Sequence, residues 1–173
     1  MNQREKGFSL MELIVYVALL GMLSVFATNA LIQIASTYQR SRAEHAALSD
    51  ARTLLDTLVR AISQAKEVYA PTSRFGSDAG QLSLVTAVGA RPGHTDAYVD
   101  FWSDNGVFLT RAEGSATTTL SSVGVRVTKL RFERMVQSYG REAVRTTLRV
   151  EAINQHFPAS VVLTVTTALR GSY

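Results

Sequence analysis

The fold of this chain is decided by its N-terminal stretch KGFSLMELIVYVALLGML, residues 6–23. A charged segment ends at a glycine, and a long apolar run follows with a single acid, Glu12, near its start. No further charged residue occurs before Arg40, so the run meets the length criterion for a membrane-spanning helix. A carboxylate at membrane depth is energetically unfavourable and usually marks a functional position. The stretch therefore predicts a membrane helix in which Glu12 has a role of its own.

The composition and net charge of the chain exclude several kinds of functional site. The chain has 173 residues and a formal net charge of +4, which is too weakly basic to indicate nucleic-acid binding by itself. It contains no cysteine, so disulfides, thiolate metal sites and thiol nucleophiles are excluded. Beyond the apolar N-terminal run, the composition is that of one ordinary globular domain.

Two interpretations of the apolar run compete. A conventional secretory signal would have a small-residue cleavage site near residues 28–30, and Leu31 would then begin the mature protein. The alternative is a membrane helix that is retained in the mature protein. The run extends to about Ala35, longer than a usual signal core, and it contains an acid that a discarded signal does not need. Both features favour the retained helix.

Residues 6–15 resemble the processing motif of type IV pilins and type II secretion pseudopilins. In that family a membrane aspartyl peptidase cleaves after a glycine and N-methylates the new terminal residue. The resemblance implies that Gly7 ends the leader and that Phe8 becomes the methylated first residue. Glu12 would then occupy the family's glutamate position.

Physical chemistry gives Glu12 a role in assembly. Cleavage after Gly7 would place a positive amine about four residues, or roughly 6 Å along a helix, from the carboxylate. When such helices pack side by side with an axial stagger, the carboxylate of one subunit can pair with the amine of the next. Breaking such a pair leaves a charge uncompensated, so one register is favoured. The alternative is an acid that stays hydrated at the membrane interface.

The helix is predicted to continue beyond the apolar run. An apolar stripe recurs at spacings of three and four residues, which places it on one helical face. Its members are Leu48, Ala51, Leu55, Leu58, Ile62 and Ala65. We predict a helix from Phe8 to about Tyr69, ended by Pro71.

From about Gln81 the hydrophobic period changes to two, which predicts strands. They are expected at 81–88, 97–103, 106–111, 123–132, 143–153 and 160–168, with a loop at 112–122. Asp104-Asn105-Gly106 indicates a tight hairpin, and a slip in the apolar phase indicates a bulge near Thr128-Lys129. A further turn is expected at 139–141. The predicted fold class is α+β, a long N-terminal helix packed on an antiparallel sheet, as the pilin resemblance also implies.

The sequence divides into four predicted segments. They are a leader (1–7), a transmembrane or filament-core helix (8–35), an amphipathic helix continuing into the head (36–70), and a β-rich head (71–173). Within the family, the runs 98–111 and 125–132 are most similar to J-type minor pseudopilins and W-type minor pilins.

No catalytic or cofactor motif is present in the sequence. His45, His94 and His156 lack metal-binding spacing, and there is no phosphate loop, dinucleotide glycine pattern or nucleophile elbow. Three aspartates at 96, 100 and 104 invite a calcium interpretation, but no EF-hand-like loop accompanies them. We expect no enzyme activity, no metal and no cofactor.

Arginines are concentrated on two predicted strands. They are Arg126, Arg131, Arg134, Arg141, Arg145 and Arg149. Minor pilins of uptake systems can bind DNA through basic surfaces, so Arg126, Arg131, Arg145 and Arg149 are candidate DNA contacts. Glutamates at 133, 142 and 151 are interspersed, which favours a solvated strand face that protects a sheet edge.

The expected function is that of a minor pilin or minor pseudopilin, a filament subunit rather than an enzyme. Expected partners are other pilins or pseudopilins through their N-terminal helices, the prepilin peptidase and an inner-membrane assembly platform. The precursor would cross the cytoplasmic membrane once, with its N-terminus in the cytoplasm and its head outside, before joining a periplasmic or extracellular filament. The alternatives are a DNA-binding minor pilin of an uptake system and a conventionally secreted soluble binding domain.

Overall fold

The computed structural model describes residues 9–90, 92–136, 142–153 and 158–170. Within them one α-helix precedes eight β-strands. The elements are α1 (Leu10–Gln64), β1 (Ala65–Val68), β2 (Gln81–Thr86), β3 (Ala97–Asp104), β4 (Val107–Ala112), β5 (Thr118–Thr119), β6 (Val125–Val136), β7 (Glu142–Ala152) and β8 (Ser160–Ala168). The chain divides into two compact units, Met1–Ser41 and Arg42–Tyr173.

The strands form two antiparallel sheets. Sheet A contains β1 to β5 in sequential order, and sheet B contains β6, β7 and β8 in sequential order. Strands that are consecutive in each sheet pair antiparallel, as expected when neighbours along the chain are joined by hairpins and short loops. The predicted α+β class is confirmed, although the head has two sheets where one was predicted.

One hydrophobic core joins the C-terminal part of α1 to both sheets. The buried residues of α1 recur three or four positions apart and therefore share one face. They are Ala43, Ala47, Ala51, Leu54, Leu55, Leu58 and Ile62. The predicted stripe is confirmed at Ala51, Leu55, Leu58 and Ile62, whereas Leu48 is only half-buried and Ala65 lies in β1 rather than on the helix. The largest buried side chains of the sheets are Phe108 and Phe132.

The end of the helix differs from the prediction. α1 ends at Gln64, not near Tyr69, and the next four residues form β1. Ala65 and Val68 lie opposite Thr86 and Leu84 of β2, so β1 pairs with the free edge of that strand. The prediction was wrong here because backbone pairing with a distant strand outweighs the helix propensity of lysine and glutamate in this segment.

Two local features of the strands are confirmed. Asn105 and Gly106 have positive φ values of 49° and 80°, as a two-residue hairpin between β3 and β4 requires. The register of β6 against β7 shifts between Val127 and Lys129, which makes Thr128 the bulged residue. The short strands β1 and β5 were not predicted, and the turn predicted at 139–141 lies outside the described residues.

Residues 76–80 cover the outer edge of β6 at Leu130 and Phe132. Leu130 N donates to Asp78 O at 2.8 Å, Gly80 N donates to Leu130 O at 2.7 Å, and Ala79 forms a parallel bridge with Leu130. A Cβ on Gly80 would lie 2.7 Å from that Leu130 oxygen and 3.0 Å from Phe132 Cδ2. Only glycine therefore allows this segment to lie so close to β6.

We expect Gly80→Ala to destabilise the head by about 1–3 kcal/mol, because the added methyl group forces backbone apart rather than a flexible side chain. The measured quantity is the free energy of unfolding of the full-length protein in detergent. Gly124→Ala is the matched control, because a Cβ there would meet only Ser122 Oγ, at an ordinary distance of 4.0 Å, and Gly124 is not among the glycines with a positive φ. Equal losses in the two variants would show that close packing at Gly80 is unimportant.

Candidate functional site

Ser9 caps the N-terminus of α1. The backbone N of Glu12 donates to Ser9 Oγ at 3.2 Å and to Ser9 O at 3.0 Å. A serine followed three positions later by glutamate is the sequence form of a capping box. Ser9 therefore positions the first turn of the helix on which Glu12 lies, whereas Gly7 and Phe8 lie outside the described residues.

Glu12 is exposed in the first turn of α1. A carboxylate there interacts favourably with the positive end of the helix dipole. No described side chain forms an ion pair with it, and the next charged residue in sequence is Arg40. The assembly role predicted for Glu12 is thus compatible with its geometry but needs a cation from outside the described part of the chain.

The helix around Glu12 presents an apolar surface. The large side chains from Leu10 to Ile34 are exposed, and the most apolar window of α1 has no residue buried within the molecule. The hydroxyls of Ser24 and Thr28 donate to the carbonyls of Leu20 and Ser24 at 2.8 and 2.9 Å. Because these polar groups are satisfied within the helix, the segment is suited to an environment without water.

The four arginines proposed as DNA contacts lie on one face of sheet B. Residues directly opposite in an antiparallel ladder share a face. On the outer face the pairs are Arg126 with Glu151, Lys129 with Arg149, Arg131 with Thr147, and Glu133 with Arg145. The structure therefore brings together four arginines that are distant in sequence.

Carboxylates neutralise much of this basic face. Asp78 lies 3.0 Å from Lys129 and 3.7 Å from Arg131. Glu133 lies 3.1 Å from Arg131 and 3.8 Å from Arg145. Interspersed acids reduce the potential that would attract a phosphate backbone.

Arg126 and Arg149 have no ion pair with any described residue. The stem of Arg126 passes over Gly106 at the β3–β4 turn, where a Cβ would come within 2.4 Å of its Cγ. Arg149 lies opposite Lys129 on one side and Val162 on the other. Among the described arginines of this face, these two guanidinium groups are thus the ones that could still receive an anionic group.

Two of the three spaced aspartates are paired with cations of the chain. Lys66 Nζ donates to Asp96, and this bond, with a second from the Thr95 hydroxyl, lowers the pKa of Asp96 below its ordinary value of 3.8. Its ion pair therefore contributes stability above the ordinary carboxyl pKa, and that contribution is lost as pH falls through the lowered value.

Asp100 accepts from the Ser83 hydroxyl at 2.6 Å and lies 3.3 Å from Arg111. No group of three histidine, aspartate or glutamate side chains is placed to hold a metal in the described residues. His45 and His94 are among those residues, whereas His156 is not.

Sequence reasoning missed the cap and the cover of the β6 edge. The cap had a readable signal, because Ser9-Leu10-Met11-Glu12 is itself the capping-box pattern. The contact of residues 76–80 with β6 had no such signal in the sequence, because Asp78 and Gly80 lie about fifty residues before Leu130.

A long N-terminal helix packed against antiparallel sheets is a pilin-like architecture. Residues 2–28 match the family described as "Prokaryotic N-terminal methylation motif", and the match includes Gly7, Phe8 and Glu12. This match supports a prepilin-type (class III) signal sequence like that of type IV pilins. Together with the apolar helix, it is consistent with a single-pass membrane protein. No curated protein and no solved structure matches the chain.

Proposed function

We propose that this chain is a minor pilin or minor pseudopilin, a structural subunit of a type IV pilus or a type II secretion pseudopilus. The observation that carries the proposal is the coincidence of the methylation motif with a capped apolar helix whose first turn bears Glu12. The protein acts by assembly rather than by catalytic turnover. The minor subtype rests on the resemblance of runs 98–111 and 125–132 to J-type and W-type subunits.

The proposed precursor crosses the cytoplasmic membrane once, with its N-terminus in the cytoplasm and its head outside. The prepilin peptidase cleaves between Gly7 and Phe8 and methylates Phe8. The helix then passes from the bilayer into the filament through the assembly platform, so the apolar surface contacts lipid first and other pilin helices afterwards. The amine of Phe8 in one subunit pairs with Glu12 of its neighbour, because an uncompensated charge in that apolar packing is strongly unfavourable.

We expect the mature protein to begin with N-methylated Phe8. Intact-protein and N-terminal peptide mass spectrometry of the protein from its native membrane would measure this directly. Gly7→Val should leave the leader attached, because the resemblance places the cleaved bond after that glycine. A mature terminus at Leu31 would instead show a conventionally secreted domain and would contradict the proposal.

A DNA-binding minor pilin is the second candidate, favoured by the grouping of Arg126, Arg131, Arg145 and Arg149 on one face. We expect Arg145→Ala combined with Arg149→Ala to leave DNA affinity and its salt dependence unchanged, because Asp78 and Glu133 pair with Lys129, Arg131 and Arg145, so that few cations of this face remain to bind phosphates. The control pair is Arg52→Ala with Arg60→Ala on the exposed side of α1. A salt slope reduced by about one per lost contact, in the first pair alone, would establish DNA binding instead.

A further inference from the structure

Among the residues that the structure describes, β8 is an edge strand of sheet B without the protections found at the other sheet edges. Strand β6 carries the Thr128 bulge, and residues 76–80 cover its edge at Leu130 and Phe132. In sheet A, β1 has four residues, two of them charged, and β5 has two residues. Shortness, charge, bulges and covering segments are the usual ways in which proteins prevent pairing at an edge.

The sequence of β8 favours pairing. Its nine residues, SVVLTVTTA (160–168), include no charge, proline or glycine and are mostly β-branched. Such residues suit a pleated ladder, and an uncharged edge offers no repulsion to an approaching strand. On composition alone β8 would be placed inside a sheet rather than at its edge.

Alternation along β8 identifies the backbone groups that point away from β7. Ala152 N donates to Ala159 O at 2.8 Å, and Leu169 N donates to Glu142 O at 3.0 Å. Odd-numbered residues of β8 are therefore the ones that exchange hydrogen bonds with β7. The groups of Ser160, Val162, Thr164, Thr166 and Ala168 face outward, and no other described backbone group bonds to them.

We propose that the β8 edge binds an extended strand of another protein, which extends sheet B by β-augmentation. The chemistry of the partner follows from the two faces of β8. Val161, Leu163 and Val165 are half-buried against the core, so the partner's residues on that face are apolar. On the outer face Arg149 lies next to Val162, so an acid of the partner beside Val162 meets an arginine that no described carboxylate neutralises.

A second copy of this chain fits less well as the partner. Two β8 strands pairing with each other form an isologous contact, which closes after two copies and cannot propagate. Self-pairing also brings no acid to Arg149, because β8 has none. The partner strand therefore belongs to a different protein.

The test uses the absence of cysteine from the chain. Thr164→Cys in the full-length protein in detergent provides a single thiol at the centre of the edge. The probe is a nine-residue peptide in which valine and threonine alternate. Its central residue is cysteine, and the residue two positions away, on the same face of the strand as the threonines, is glutamate. A hydrogen-bonded antiparallel pair has Cα atoms about 5.5 Å apart, which suits a disulfide. Oxidised glutathione is the oxidant: it takes up the two electrons and two protons as the protein and peptide thiols join, and is released as two molecules of reduced glutathione. We expect the mixed disulfide with the peptide to form about tenfold faster at Thr164→Cys than at Thr147→Cys, which lies opposite Thr164 but one strand inward.

Two further variants separate augmentation from simple thiol exposure. Adding Thr166→Pro to Thr164→Cys removes an N–H that β7 does not use, so capture should fall about fivefold to tenfold while unfolding is unchanged. Adding Arg149→Glu should reverse the preference for the glutamate peptide over a lysine counterpart. Equal capture at the two cysteine positions would overturn the proposal, and so would a proline variant that captures normally. Faster homodimerisation of Thr164→Cys than peptide capture would assign the edge to a second copy instead.

Discussion

Replacing Glu12 with glutamine is expected to reduce incorporation into filaments by about a hundredfold or more. In the proposed filament, the substitution leaves the amine of a neighbouring Phe8 without its counter-charge in an apolar environment, and breaking one side of a buried pair costs about 3–5 kcal/mol. Each 1.4 kcal/mol is a factor of ten in an equilibrium constant. The measurement is the fraction of protein recovered in sheared filaments relative to the membrane pool.

Glutamine is the informative substitution because of the contact between Ser9 and Glu12. Either glutamate or glutamine completes a capping box, so Glu12→Gln keeps the helix start and removes only the charge. Ser9→Ala is the matched control. It removes the oxygen that accepts from the Glu12 backbone N at 3.2 Å and costs about 1 kcal/mol of helix stability, but leaves the carboxylate in place. We therefore expect Ser9→Ala to assemble almost normally.

Processing must be measured in the same variants. If the mature mass of Glu12→Gln still shows cleavage after Gly7, a loss of filaments reports on assembly alone. Normal assembly of Glu12→Gln would contradict the charge-pairing account. Equal defects in Glu12→Gln and Ser9→Ala would assign Glu12 to the helix cap.

The parts of the fold that the sequence predicts are those governed by local periodicity. The stripe through Leu58 and Ile62 and the Asn105-Gly106 turn depend on spacing and backbone conformation, both of which can be read from a few consecutive residues. Even the bulge at Thr128 was visible, because an extra residue shifts the apolar phase of the strand.

The parts that were missed depend on partners far away in sequence. Residues 65–68 have helix-compatible side chains and become a strand only because β2 has an edge to pair. For the site the same limit applies in a different form. The sequence identified Glu12 and four arginines as candidate site residues. Which of the arginines pair with Asp78 or Glu133 follows only from the packing of β6 against residues 76–80 and β7.

Phe132→Ala is expected to give the largest loss of stability in the head, about 3–5 kcal/mol, because it combines lost burial with a cavity. Phe132 is fully buried, and its ring lies against the Gly80 position of the segment that covers β6. Chemical unfolding of the full-length protein in detergent measures the effect. Cleavage and methylation at the N-terminus should be unchanged, since the predicted recognition motif is confined to residues 6–15.

Thr146, on the strand that pairs with β6, provides a control substitution that is expected to raise the stability of the head rather than lower it. It lies directly opposite Phe132, is fully buried, and its hydroxyl has no hydrogen-bond partner among the described residues. Thr146→Val keeps the shape and removes a buried hydroxyl without a partner, so we expect stabilisation of about 1 kcal/mol. A destabilised Thr146→Val would mean that the hydroxyl has a partner. A loss below about 1 kcal/mol in Phe132→Ala would show that sheet B is not packed into the common core with α1, and the head would then consist of two weakly coupled layers.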